Sequence, residues 1–139
     1  GNFPLDIQVG GMYDTLSAAH FCMVASGTAT LETALFGVPM IIMYKVTTIT
    51  YWLARLLVDI KYIGIVNILA GREIVPEYIQ DAIQTEQILP RVLALINPSP
   101  ERAQMLSDLQ EVHAMLGDGG ASASAAREIL TLIDGVPHA

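Results

Sequence analysis

Two uninterrupted apolar runs, Phe21 to Ala25 and Met40 to Tyr44, restrict this chain more than any other feature. Each has the length of a strand, and runs that do not alternate suit strands covered on both faces. Between them, Thr28 to Phe36 reads as a helix, stopped by Gly37 and Pro39. Strand, helix and strand of these lengths make a parallel βαβ unit.

The flanking segments extend the pattern. Leu5 to Val9 alternates apolar and polar positions, as a half-buried strand does, and Gly10-Gly11 ends it. Met12 to Ala19 reads as a short helix with Tyr13, Leu16 and Ala19 on one side, Thr50 to Val58 as another helix, and Tyr62 to Val66 as a further strand. Asn67 to Gln80 is polar and irregular, after which the chain turns helical. Thr85 to Ile96 forms one helix that Pro90 should kink or split. Glu101 to Leu116 carries Met105, Leu109, Val112 and Leu116 at helical spacing, and Ala121 to Ile133 closes the chain before a frayed end. The expected fold is therefore α/β: one Rossmann-like three-layer domain with a parallel sheet, followed by a helical tail over about 85–134. In such sheets ligands bind beyond the carboxyl ends of the strands.

Composition narrows the function. With 53% hydrophobic residues the chain is too apolar for disorder, and part of its surface should meet a partner. No apolar run reaches the ~18 to 20 residues that cross a bilayer. A net charge of −7 with seven scattered Lys and Arg argues against nucleic acid. Cys22 is the lone cysteine, read as a small buried hydrophobe that fits a reducing compartment. His20, His113 and His138 show no metal-ligand spacing, so neither a metal nor a cofactor is expected. Gly1-Asn2-Phe3-Pro4 reads as neither signal peptide nor targeting helix, and a piece of a longer protein is expected.

The candidate site begins at Ser26-Gly27-Thr28, where the first apolar run enters the helix. Such a turn offers an anion free backbone N–H groups, the positive end of a helix dipole and hydroxyl donors. An ordinary N-cap uses the same residue types. Glu32 is different. A capping-box carboxylate stands three residues after its cap, but positions 29 and 31 are Ala and Leu, so Glu32 caps neither Ser26 nor Thr28. It lies four residues after Thr28, on the same helical face. A phosphate at the helix tip and a sugar diol one turn along would match that placement; an exposed surface carboxylate is the plain alternative.

Ala25-Ser26-Gly27-Thr28-Ala29-Thr30-Leu31-Glu32, Gly37-Val38-Pro39-Met40, Tyr51-Trp52-Leu53 and the passage Tyr62 to Glu73, with its Asn67-x-x-Ala70-Gly71-Arg72-Glu73, closely resemble the C-terminal half of bacterial lipid-A-disaccharide synthases. The resemblance runs from about Leu5 into the last helix. It implies the GT-B architecture, two Rossmann-like domains around a cleft, and transfer of a diacylated glucosamine from UDP to a monosaccharide lipid, releasing UDP. This chain, 1–139, would be the C-terminal, donor-binding domain: Glu32 on the ribose, with Ser26, Gly27 and Thr28 beside the diphosphate.

Asn67, Arg72, Glu73 and Gln80 fall in the polar passage, where Arg72 could balance diphosphate charge and the others could bond sugar or base. A local Arg72–Glu73 ion pair and a solvated loop are the plain alternatives. Val66 stands where the family commonly has proline. Lys45 to Leu57 mixes aromatic, aliphatic and basic residues, as a core helix or a membrane-boundary helix would. The resemblance further implies an inverting hexosyltransferase, peripheral at the inner membrane on the cytoplasmic side, that associates through this domain. Its catalytic base would lie in the N-terminal domain, so the isolated chain should turn over little or nothing. The rivals are a non-catalytic oligomerisation module and the donor half of another GT-B transferase or a sugar-nucleotide epimerase.

Overall fold

A computed structural model describes residues 4–25, 27–45, 61–117 and 121–134. The elements in chain order are α1 (Met12–Ala18), β1 (Cys22–Ala25), α2 (Thr28–Leu35), β2 (Met40–Tyr44), α3 (Ile65–Ala70), β3 (Glu77–Ile79), a 3-10 turn (Gln80–Ala82), α4 (Thr85–Ile96), α5 (Pro100–Leu116) and α6 (Ala121–Asp134). Among the described residues the three strands form one parallel sheet in the order β1-β2-β3, with Cys22 opposite Met40 and Ile42 opposite Glu77. The α/β, Rossmann-like reading stands.

β2 is the centre of the molecule because its residues are apolar on both sides of the pleat. Met40, Ile41 and Ile42 are at most 1% exposed. Strand alternation turns Val24, Met40 and Ile42 to one face and Met23, Ile41 and Met43 to the other. On the first face α2 packs against α3 and α5. On the second, Ile88, Leu89 and Val92 of α4 share an apolar cavity of about 350 Å³ with Met23 and Met43. Met105, Leu109 and Val112 of α5 complete the main core, as their spacing foretold, whereas Leu116 is exposed.

Four expectations change. Leu5 to Val9 is not a strand: Leu5, Ile7 and Val9 are exposed, and no described strand lies beside them to take up their backbone groups. Tyr62 to Val66 is not a strand either. It is a turn that enters α3, and short apolar runs are ambiguous between strand and helix by periodicity alone. The passage 67–80 is not irregular throughout, since it holds the end of α3 and all of β3. Pro90 does not split α4, because Ile88 before it and Leu95 after it are both buried and anchor the two halves. In α1, Leu16 is buried while Tyr13 is exposed. The expected helix Thr50 to Val58 lies outside the described residues.

Ser99 starts α5, accepting from the Arg102 N–H at 3.0 Å, with Pro100 in the first turn where its missing N–H costs nothing. Arg102 also donates to the carbonyls of His20 and Leu95, and His20 Nε2 meets the Ile96 carbonyl at 2.7 Å. A carbonyl only accepts, so Nε2 carries the proton. These bonds tie the α4–α5 corner to the start of β1.

Candidate functional site

The carboxyl ends of the three strands fall along one edge, where Ala25, Tyr44 and Ile79 give way to connecting segments. α2 starts there. Gly27 has φ 131 and ψ −160, a region open in practice only to glycine. Among the described residues no side chain caps the helix. The Thr30 hydroxyl turns back to the Gly27 carbonyl at 2.8 Å, and the Thr33 hydroxyl to the Ala29 carbonyl at 2.7 Å. Neither hydroxyl touches the leading N–H groups; the Thr30 N–H turns back to the Gly27 carbonyl at 3.1 Å, and those of Thr28 and Ala29 have no partner among the described residues, beside the positive end of the dipole. A Cβ built on Gly27 would meet none of the described residues beyond its chain neighbours within 4 Å. Thr28 is exposed beside it; Ser26 lies outside the described residues.

Glu32 follows one turn along α2, about 6 Å from Thr28. Its Oε1 accepts from the Tyr13 hydroxyl at 3.3 Å, and the Tyr13 ring stacks on Phe36 with centroids 5.8 Å apart. Among the described residues no partner sits on its second oxygen. Gln80 opens the 3-10 turn at the end of β3, two strand spacings, about 10 Å, from β1. Its φ of 53 is left-handed, which is uncommon for a residue with a side chain and recurs at ligand sites. Lys45 puts a cation at the end of the strand between them. Tyr13 and Lys45 carried no signal in the sequence beyond membership of segments read as packing elements.

Asn67 lies elsewhere and is fully buried. Its Oδ1 accepts from the N–H groups of Ile74 and Val75 at 2.9 and 3.0 Å; its Nδ2 donates to the Val75 carbonyl at 2.8 Å and to Glu77 Oε1 at 2.7 Å. The Glu77 carboxylate also accepts from the N–H groups of Ile63 and Gly64, at 2.8 and 2.9 Å, which lead into α3. Gly64 lets the backbone approach closely here, since a Cβ would come within 2.3 Å of Ile42 Cδ1, which would have to shift.

Arg72 and Glu73 sit toward the amino edge of the sheet, on the segment that leads into β3. Arg72 Nη2 donates to Asp108 at 3.0 Å and to Glu111 at 2.9 Å. Asp108 stands one turn from Met105, whose sulfur meets the Met40 N–H at the start of β2. The Arg72 guanidinium, followed by burial and by a bond from Gln104, sets the Asp108 carboxyl: the net effect holds it below the usual carboxylate range. Arg72 pairs with α5 and not with Glu73. Glu73 lines a cavity of about 440 Å³ on that side with Arg91, Glu101, Gln104 and Asp108. The structure thus gathers Gly27, Thr28, Glu32 and Gln80 toward the carboxyl edge, and gives Asn67 and Arg72 bonding partners within the chain. Burial pushes the half-buried Cys22 thiol up. Among the described residues no cluster of His, Cys, Asp and Glu could hold a metal, and no helix is long and apolar enough to cross a membrane.

Comparison with known proteins adds lineage to this geometry. A family model described as lipid-A-disaccharide synthetase matches residues 5–129. The chain is 43% identical over 124 residues to a lipid-A-disaccharide synthase of Syntrophus aciditrophicus (strain SB), covering 89% of this chain and 32% of that protein. It is 38% identical over 120 residues to one from Myxococcus xanthus (strain DK1622), covering 86% and 31%, and 35% identical over 136 residues to one from Solibacter usitatus (strain Ellin6076), covering 97% and 36%. The chain spans about a third of the length of these curated relatives.

Proposed function

Since the chain belongs to the lipid-A-disaccharide synthetase family, we propose that it is the donor-binding part of a glycosyltransferase that joins two acylated glucosamines and releases UDP. The observation that carries this reading is the start of α2, uncapped among the described residues, at the carboxyl edge of the sheet, with Glu32 one turn along the same face. The N–H groups around Gly27 and Thr28, with the Ser26 hydroxyl, take the diphosphate. Glu32 accepts from the ribose hydroxyls, and Gln80 faces the sugar or base from the end of β3. As the glycosidic bond to UDP breaks, the leaving diphosphate gains charge, and the fixed dipole of α2 with Lys45 stabilises it. Arg72, committed to Asp108 and Glu111, supports the frame and not the leaving group. The base that activates the acceptor comes from another part of the enzyme, so this chain alone binds donor and does not turn over. The whole enzyme works at the cytoplasmic face of the inner membrane, where both lipid substrates are held.

Titration of UDP into the 139-residue chain, followed by amide NMR, tests the reading. Shifts should centre on residues 27–32 and Gln80, and Glu32→Ala should weaken binding. If millimolar UDP moves no amide, or if Glu32→Ala binds as the wild type does, the donor site is elsewhere and the chain is an interface module.

A further inference from the structure

Tyr13 and Phe36 form an exposed aromatic pair that the core does not explain. Tyr13 is 59% exposed and Phe36 41%, yet their rings stack 5.8 Å apart at 20°. The contact joins α1 to the end of α2, across 23 positions of chain. Phe36 stands four residues after Glu32 and therefore on the same helical face. The stack brings the phenol hydroxyl to Glu32 Oε1 at 3.3 Å.

We propose that Tyr13 is a positioning residue for Glu32: its hydroxyl holds one carboxylate oxygen, so that the other faces a nucleotide ribose. A glutamate on an exposed helix face samples several rotamers, and a ligand must freeze them at a cost in binding free energy. Tyr13 reduces that cost beforehand. Phe36 supplies the platform that keeps the ring in place, and Leu16, buried on the same short helix, anchors α1. At 3.3 Å the bond is longer than the usual hydroxyl–carboxylate contact, so the phenol steers the carboxylate without removing it from the ligand. This inference rests on the reading of Glu32 as a ribose ligand.

The test is a double-mutant cycle on UDP affinity in the intact chain, with Tyr13→Phe, Glu32→Ala and the pair. Tyr13→Phe keeps the stack on Phe36 and deletes only the hydroxyl. It should leave the thermal midpoint unchanged, weaken UDP binding about three- to tenfold, and have no effect in the Glu32→Ala background. Three results would overturn the proposal. If UDP binds neither more weakly after Glu32→Ala nor at all to wild type, the donor site itself falls and the proposal with it. If Glu32→Ala weakens binding and Tyr13→Phe does not, the positioning role alone is wrong. If the two losses simply add, Tyr13 acts on its own and not through Glu32.

Discussion

The Asn67 side-chain amide donates to Glu77 Oε1 at 2.7 Å, and the two side chains together occupy backbone groups on both sides of the turn between α3 and β3. Each is placed by the other, and neither has an obvious neighbour in sequence. Asn67→Ala would orphan two N–H groups and a carbonyl inside the core, at about 2 to 4 kcal/mol. Urea unfolding measures this; a loss under about 1 kcal/mol would mean that water substitutes for the amide. Asn67→Asp would set a second carboxylate against Glu77 and leave the Val75 carbonyl without its donor, so it should destabilise as well.

Gly64 presents a steric case. Its φ of −71 and ψ of 127 suit any residue, so Gly64→Ala costs stability through side-chain contacts alone, foremost the clash with Ile42 Cδ1. A loss of about 1 to 3 kcal/mol is expected. Ile42→Val removes the clashing atom, so the double variant should be more stable than Gly64→Ala alone. Additive losses would show that the Glu77 carboxylate, 3.2 Å from the new Cβ, is the real obstacle.

Gly27 is the converse, open in space but constrained in backbone. Gly27→Ala should cost about 1 to 3 kcal/mol through φ alone, and under the proposed function it should also weaken UDP binding. Calorimetry with and without UDP separates the two effects. An unchanged midpoint would show that the turn relaxes to a conformation other residues can adopt.

Asp108 makes stability depend on pH. Its folded carboxyl is held below the ordinary range, so its contribution is whole above pH about 4 and is lost as the pH falls through the lowered value. Asp108→Asn should lower the thermal midpoint at neutral pH, with the gap to wild type closing in acid. A gap that stays constant with pH would mean the Arg72 pair contributes nothing.

Much of this was legible from composition along the chain. The bounds of β2 and α4 follow from the apolar run at Met40 to Tyr44 and from Asn97-Pro98, because local composition decides such elements. Leu5 to Val9 was misread because alternation describes a strand only when a neighbour pairs with it. For Asn67 and Arg72 the polar passage alone favours a plain local role, and the family resemblance is what makes them ligand candidates. Their partners, Val75, Glu77, Asp108 and Glu111, lie up to 39 positions away, and no local pattern announces such pairings. For Glu32 the four-residue spacing shows that it shares a helical face with Thr28; its assignment to a ribose comes from the resemblance.

The cover of β2 has a temporal consequence. The three described strands have been made once Ile79 is added, but the Met40 end of the sheet is closed by Met105, and Leu109 and Val112 complete the core. A chain emerging from the ribosome therefore carries finished strands with an open flank until about thirty more residues follow. The sheet is early in sequence and part of its cover is late, and contacts between parts so far apart in the chain slow the rate at which a chain reaches its native state. Stalling synthesis just after the 3-10 turn would leave the Met40 end of the sheet without Met105, whereas stalling after α5 would leave that contact already made.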